Sequence, residues 1–298
     1  MADAGKLERA AWEMLNRRLE PVDLAAERFD GEGEIARRRL FIFAQPRSAS
    51  YSFCRFCAAA GWGIPTEYLA VEWIRTLSAR ILGDGAGVGS LEDLERYVLA
   101  LERCRSRNGV FAVKVMWEAV RRFERAYRPR GGPDDASAAV YLRRRDFPAQ
   151  VVSFVMQQST GVYSVTDVHR TLAVEGRVPS EGDVRRAAEY LIKEERRWLE
   201  FFAHRKLNPA VVETEDLLGS PIECFDRLAA LFQLELARGE LLQFAPLEAD
   251  GSYRIHRDDK DDLRRRCRGL LSDYEARRRD QFSRLSMAVG VSMRQNPK

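Results

Sequence analysis

The stretch LFIFAQPRSASYSFCRFCAAAG, residues 40–61, sets an unbroken apolar run against a turn holding Pro46 and Arg47, then opens a second apolar run with Ser48, Ser50 and Ser52. Five apolar residues without polar alternation, 40–44, suit a strand covered on both faces, as in a parallel sheet. The second run, about 50–60, repeats its apolar residues at helical spacing, so the segment reads strand, short turn, helix. Such a junction aims the unpaired N–H groups of the helix start, and the positive end of its dipole, at one point where phosphate or sulfate can bind. Arg47 adds a planar fork of donors, and the three serine hydroxyls can add more. The plainer reading is a capping serine beside a surface arginine.

Three further apolar runs, at 111–116 (FAVKVM), 138–142 (AAVYL) and about 210–212, fit buried strands. Helical patterns at about 50–60, 91–105, 117–127, 147–158, 181–203 and 221–235 alternate with them, and a charged helix runs from about 259 to 287. Residues 5–20 and 22–38 read as polar or amphipathic helix ahead of the first strand. Strands alternating with helices predict an α/β fold with a mostly parallel sheet. One domain over 1–298 is expected, with a helical extension at 1–38, a core at 39–240 and a charged helical segment at 241–298. Ligands of such sheets sit beyond the carboxyl ends of the strands, the place the Arg47 turn occupies. Two looser regions follow the same rule: GDGAGVG at 83–89, which lacks the G-x-G-x-x-G spacing and reads as a lid or connector, and RPRGGPDD at 128–135. Ser90 then starts S-L-E-D, a capping-box pattern. The arginines of RRRCRG and EARRRD near the end read as a solvated helix face.

A net charge of +4, from 49 basic and 45 acidic residues, excludes a general polycation, so anion binding is local and no nucleic-acid partner is expected. The five cysteines, 54, 57, 104, 224 and 267, form no zinc-type pair of pairs and fit reduced thiols in a cytoplasmic protein. Cys54 and Cys57 make a C-x-x-C, but at i, i+3 in an apolar helix pattern they read as core rather than redox chemistry. No segment reaches membrane-spanning length, and MADAGKLERAAWEML has the pattern of an amphipathic helix rather than a signal peptide.

An ATP-type phosphate loop needs G-x-x-x-x-G-K-[ST], and the Arg47 turn has neither its glycines nor its lysine. The turn resembles instead the 5′-phosphosulfate loop of sulfotransferases, whose P-R-S-G-S-T appears as Pro46-Arg47-Ser48-Ala49-Ser50-Tyr51. Four more blocks make the chain similar to the bacterial carbohydrate sulfotransferase family typified by trehalose 2-sulfotransferase. GIPTEYL, 63–69, resembles G-x-P-x-E-[YF]-[FL] and supplies Glu67; NGVFAVKVMW, 108–117, resembles N-G-V-x-x-x-K-[LV]-M-W and supplies Lys114 and Trp117. RRDFPAQVVSF, 144–154, resembles R-x-D-x-x-x-Q-[AV]-x-S and supplies Arg144 and Ser153. EERRWLEFF with NPAVVETEDL, within 194–217, follows E-x-x-W and P-x-x-V-x-Y-E-D-L, with Thr214 at the tyrosine. Together the blocks span about 41–218, in the family's order.

The resemblance implies a P-loop-type three-layer α/β/α fold with extra helices at both termini, and a cytoplasmic enzyme using 3′-phosphoadenosine 5′-phosphosulfate (PAPS) without a metal. It implies that Arg47, Ser48, Ala49, Ser50, Tyr51 and Ser52 hold the 5′-phosphosulfate, that Arg144 and Ser153 hold the 3′-phosphate, and that Glu67 takes the proton of a carbohydrate hydroxyl. Two separated anion holders match a donor with anionic groups at both ends. Desolvation beside GIP and YLA suits Glu67 to a base's role, against the plainer reading of an exposed loop carboxylate. Lys114, a charge in an apolar strand, must be paired or placed at the cleft, so it approaches the sulfuryl oxygens or holds Glu67. Trp117 is either core or a stacking surface, and His169 either lines the acceptor site or lies in a surface loop. Family members often pair, so a homodimer is among the implications.

The departures are Ala49 for glycine, which matters where positive φ is needed, Tyr51 for threonine, and Met156-Gln157 for the usual Arg-Ala. Two other readings stay open: a catalytically degenerate member that binds a nucleotide or a partner, and a P-loop kinase.

Overall fold

Four strands form one all-parallel sheet in the order β2-β1-β3-β4: β1 is Arg38–Ala44, β2 Val110–Val115, β3 Ser137–Arg143 and β4 Ala210–Glu213. The computed structural model describes residues 30–31, 36–83, 88–127, 137–160, 179–239, 241 and 257–289. Among these, ten α-helices accompany the strands, as a three-layer α/β/α sulfotransferase fold requires. They are α1 Ser50–Ala59, α2 Val71–Leu82, α3 Leu91–Arg105, α4 Val120–Tyr127, α5 Phe147–Thr160, α6 Glu181–Arg205, α7 Thr214–Gly219, α8 Pro221–Phe232, α9 Arg257–Arg266 and α10 Arg268–Val289. Strand β1 pairs with β2 in register from Arg38 opposite Val110 to Phe43 opposite Val115. Residues 40–44 are wholly buried, which is why their sequence shows no polar alternation.

The chain divides into two compact units, with the boundary inside β3. The first comprises Met1–Ala44, Ser50–Tyr141 and Asp216–Ala249. Its core stacks aromatics from β1 on α4, with Phe41 4.8 Å from Tyr127 and 5.0 Å from Phe123, both edge to face. A second cluster joins α1 to α8, where Phe225 lies 5.3 Å from Phe53 and 4.9 Å from Trp62. Cys54 and Cys57 are buried in this unit and all five cysteines are free, in line with the core reading of the C-x-x-C. Burial pushes the Cys54 thiol up to about 12, with Lys114 opposing and Glu67 adding to the shift, so it carries almost no thiolate at neutral pH.

The second unit comprises Gln45–Ala49, Leu142–Glu215 and Asp250–Lys298. Its apolar core draws on α5 (Phe147, Val151), α6 (Ala188, Leu191), α9 (Leu263) and α10 (Leu271). Met156 belongs to this core, so the departure from the family's arginine there is absorbed as packing.

Several expectations change. Helix α2 occupies residues to which the sequence reading assigns no element, and the charged helix expected at about 259–287 is two, α9 and α10. Backbone bonding nonetheless carries through the break, from Cys267 N to Leu263 O and from Leu271 N to Cys267 O. Arg278, read as part of a solvated face, is 2% exposed. Of the helix expected at 22–38, Arg38 belongs to β1 and residues 30–31 and 36–37 are not helical; the rest lies outside the described residues. So do the helix read at 5–20, the 128–135 region and residues 84–87. The capping box at Ser90 is present, with Asp93 N donating to Ser90 Oγ and Ser90 N to Asp93 Oδ2.

Candidate active site

In the first unit, GIPTEYL is tied by its backbone to the end of α3 and to β2. Ile64 N donates to Arg105 O and Lys114 N to Thr66 O, at 3.1 and 3.0 Å. Gly63 permits this approach: it has φ +80°, and a Cβ there would sit 2.8 Å from Val110 O. This pairing puts Glu67 beside Lys114, whose Nζ lies 2.7 Å from Glu67 Oε1. Of the two roles left open for Lys114, the structure displays the hold on Glu67. The lysine side chain is 2% exposed and the glutamate's 21%, so the cation is enclosed and the carboxylate keeps a free edge. The ring of Tyr51 lies 3.9 Å beneath the same ammonium, a cation–π contact that gives the residue replacing threonine a definite task. Burial acts to lower the Lys114 pKa, but the charges of Glu67, Tyr51 and Cys54 and the hydrogen bond to Glu67 raise it above the ordinary lysine value. It is therefore cationic at neutral pH. Trp117, half-buried, begins the 3₁₀ turn Trp117–Ala119 after β2. Burial raises the neighbouring Glu118 above the usual carboxylate range, with Glu67 also raising it and Lys114 and Arg122 lowering it.

In the second unit, the loop after β1 has two residues in the left-handed region, Arg47 at φ 61° and Ala49 at φ 55°. Ala49, standing where the resembled motif has glycine, thus takes a left-handed conformation that glycine adopts without strain. Turns of this kind direct successive backbone N–H groups to one side and make concavities for anions. Ala49 is followed by Ser50, the first residue of α1, whose leading amides lack intrahelical acceptors. Arg47 Nε donates to Ser153 Oγ at 2.9 Å, so the loop arginine and the serine of the fourth block are brought together across 106 residues. The hydroxyl of Ser48 is committed to Gln45 O at 2.7 Å, which removes one of the three hydroxyl donors offered from sequence. Gln45 is fully buried; its N–H donates to Leu142 O and its Nε2 to Leu191 O. Gln150 Nε2 donates to Pro46 O at 2.8 Å and to Gln45 Oε1 at 3.4 Å.

Arg144 is placed differently from Ser153. Its Nε lies 3.8 Å from Glu215 Oε1, and the same carboxylate accepts from the backbone N–H of Arg145 and Asp146. The junction between β3 and α5 therefore already holds an internal anion. Its neighbour Arg143 is buried: Nε donates to Glu195 and Nη1 to Glu213, and the guanidinium lies 3.6 Å over the Phe282 ring. Thr214, at the family's tyrosine, donates through Oγ1 to Arg143 O. His169 lies outside the described residues.

Sequence reasoning missed Gln45, Gln150, Arg143, Glu195 and Arg278. A signal existed for Glu195: it falls on the apolar stripe Leu191, Trp198, Phe202 of α6, where a charge must find a partner.

The sequence pattern of the Stf0 sulphotransferase family matches residues 40–245, more than two thirds of the chain. The chain belongs to that family. This is the trehalose 2-sulfotransferase family that the motif blocks resemble, and membership makes the protein a transferase of the sulphotransferase kind. No curated protein compared with the chain matches it. Both groups described above, Glu67 with Lys114 and Arg47 with Ser153, fall inside the matched segment of the Stf0 member. No helix among the described residues is long and apolar enough to cross a membrane.

Proposed function

We propose that the protein transfers the sulfuryl group of PAPS to a hydroxyl of a small, carbohydrate-containing acceptor. The observation that carries this reading is that residues marked by the family resemblance gather into two working groups, Arg47 with Ser153 and Glu67 with Lys114 and Tyr51. The left-handed turn at Arg47 and Ala49 fits an anionic donor, because it supplies converging amides and a guanidinium and no carboxylate of its own. The Arg47 loop and the start of α1 hold the 5′-phosphosulfate, while Ser153 and Arg144 serve the 3′-phosphate. Two copies pairing, and a cytoplasmic location, go with the same reading.

Glu67 takes the acceptor hydroxyl's proton as the new O–S bond forms. Arg47 and the loop amides offset the charge left on the departing phosphate oxygen as the old O–S bond breaks. Sulfuryl transfer, like phosphoryl transfer, leaves the protein mainly positioning and charge stabilisation to perform. Lys114 keeps the Glu67 carboxylate in one orientation.

The test is a thermal-shift measurement with adenosine 3′,5′-bisphosphate against ATP with magnesium, followed by labelled sulfate transfer to a panel of sugars. Stabilisation by the bisphosphate and transfer to a sugar are expected. Stabilisation by ATP alone overturns the donor; bisphosphate binding without any transfer favours a degenerate binding member.

A further inference from the structure

We infer that Arg278, on a helix beyond the segment matched to the family, is a positioning residue for the donor loop. The inference rests on the donor reading above. Arg278 spends its whole guanidinium inside the second unit. Its Nε donates to Glu195 Oε2 at 3.0 Å, and its Nη2 to Glu195 Oε1 at 2.7 Å and to Gln45 Oε1 at 3.2 Å. Its Nη1 donates to Arg144 O at 2.6 Å, and its carbon lies 4.8 Å over the Phe147 ring. One buried cation thus grips the residue immediately before Pro46-Arg47 and the carbonyl of Arg144, just past the end of β3.

The geometry gives this grip a purpose beyond packing. Left-handed backbone is disfavoured at a residue with a Cβ, and the loop has two such residues separated only by Ser48. Conformations of that kind persist where the surroundings over-determine them. Gln45 is the fixed end of the loop: Ser48 donates to its carbonyl, Gln150 ties its side chain to Pro46, and Arg278 sets the side chain from the other side. Glu195, fully buried, orients Arg278 and shares its charge with Arg143, so Arg278 is itself held rigidly. Without Arg278, Gln45 Oε1 keeps only the 3.4 Å bond from Gln150, and the start of the loop loses its charged anchor.

The experiment compares Arg278→Met, Arg278→Lys and Leu271→Ala in the full chain. Leu271 lies on the same helix and in the apolar core, and serves as a destabilised control. All are measured well below the lowest Tm, for bisphosphate affinity by calorimetry and for trypsin cleavage after Arg47 by mass spectrometry. Arg278→Met is expected to weaken bisphosphate binding about tenfold or more, with partial rescue in Arg278→Lys and a change under twofold in Leu271→Ala. Where the wild type binds the bisphosphate, equal affinity in wild type and Arg278→Met overturns the inference, as does an equal loss in Leu271→Ala. Where the wild type does not bind it, the donor reading fails, and the trypsin arm decides the rest: faster cleavage in Arg278→Met alone upholds the hold on the loop, and equal rates overturn it.

Discussion

Glu67 is tied through one ion pair to a lysine that is itself enclosed, whereas Arg47 sits on a loop whose every neighbour is tied to something else. Glu67 keeps a free edge, and Lys114 carries the burial for both. In the loop, Gln45, Pro46 and Ser48 all have their polar groups engaged within the second unit, and Arg47 is bonded to Ser153. The contrast matches two kinds of work. A group that must accept a proton needs one fixed direction and an open face, while a group that must hold charge without reorganising needs a rigid frame.

The largest effect should come from the open member. Glu67→Gln removes the proposed proton acceptor and is expected to cut sulfate transfer about 10²–10⁴-fold while leaving bisphosphate affinity within about twofold. Radiolabelled transfer and calorimetry on the same sample check it. Equal turnover in the variant removes Glu67 from its role and with it this half of the comparison.

Stability should follow the reverse logic, because removing either partner leaves the other behind. Glu67→Gln strands an enclosed ammonium, a cost of about 3 kcal/mol, whereas Lys114→Met leaves a partly exposed carboxylate and costs roughly 1 kcal/mol. Urea unfolding of both variants gives the order directly. The pair also has a pH signature. The folded pKa of Lys114 lies above its ordinary value of 10.5, so its stabilisation is fully present below that value and is lost as pH rises beyond it toward the folded one. The Tm gap between wild type and Lys114→Met should therefore stay level up to about pH 10 and narrow only as the pH rises past 10.5. A gap that widens contradicts the raised lysine.

How far the sequence revealed these two regions differs for a physical reason. The first was almost wholly legible: the Gly63-to-Leu69 block and the Asn108-to-Trp117 block are local, and a lone lysine in an apolar strand demands a partner, which the carboxylate of a neighbouring block supplies. In the second, the strand, the turn and the helix start were legible, but the frame was not. Gln45, Glu195 and Arg278 meet across 233 and 83 residues, and nothing local says which charges will be buried together. Arg277, Arg278 and Arg279 look alike in the sequence; only helix phase, through Leu271 and Tyr274, turns Arg278 inward. Arg144 was favoured over Arg143 by the motif, yet it is Arg143 that lies buried against Glu195, while Arg144 faces Glu215. Helix α2 did carry a signal, with Val71, Ile74, Leu77 and Ile81 at helical spacing in VEWIRTLSARIL, which a reading centred on the motif blocks passes over.

A smaller effect tests how rigid the frame is. Ser153→Ala deletes the acceptor of Arg47 Nε and leaves the loop's backbone ties in place. Hydrogen bonds to charged groups contribute about 1.5–3 kcal/mol, so Tm should fall by a few degrees, and bisphosphate affinity about tenfold as Arg47 loses its set orientation. If the affinity is unchanged, Arg47 is fixed by its backbone alone and the serine contributes no positioning.

The smallest effect concerns the loop's own strain. Ala49 at φ 55° carries a Cβ in a region that disfavours one by about 1–2 kcal/mol, and Ala49→Gly relieves it. Glycine also loosens the unfolded chain, which takes back about 0.4–1 kcal/mol, so the net gain should be a few tenths to about 1 kcal/mol. Ala49→Val, with a branched Cβ, should lose about 1 kcal/mol or more by the same reasoning. Chemical denaturation of the three forms places them in the order Gly, Ala, Val. The activity then sharpens the comparison of the two regions: if the frame around Gln45 fixes the loop, Ala49→Gly gains stability with donor affinity unchanged. If the frame leaves the loop slack, the extra freedom of glycine appears as weaker donor binding despite the higher Tm.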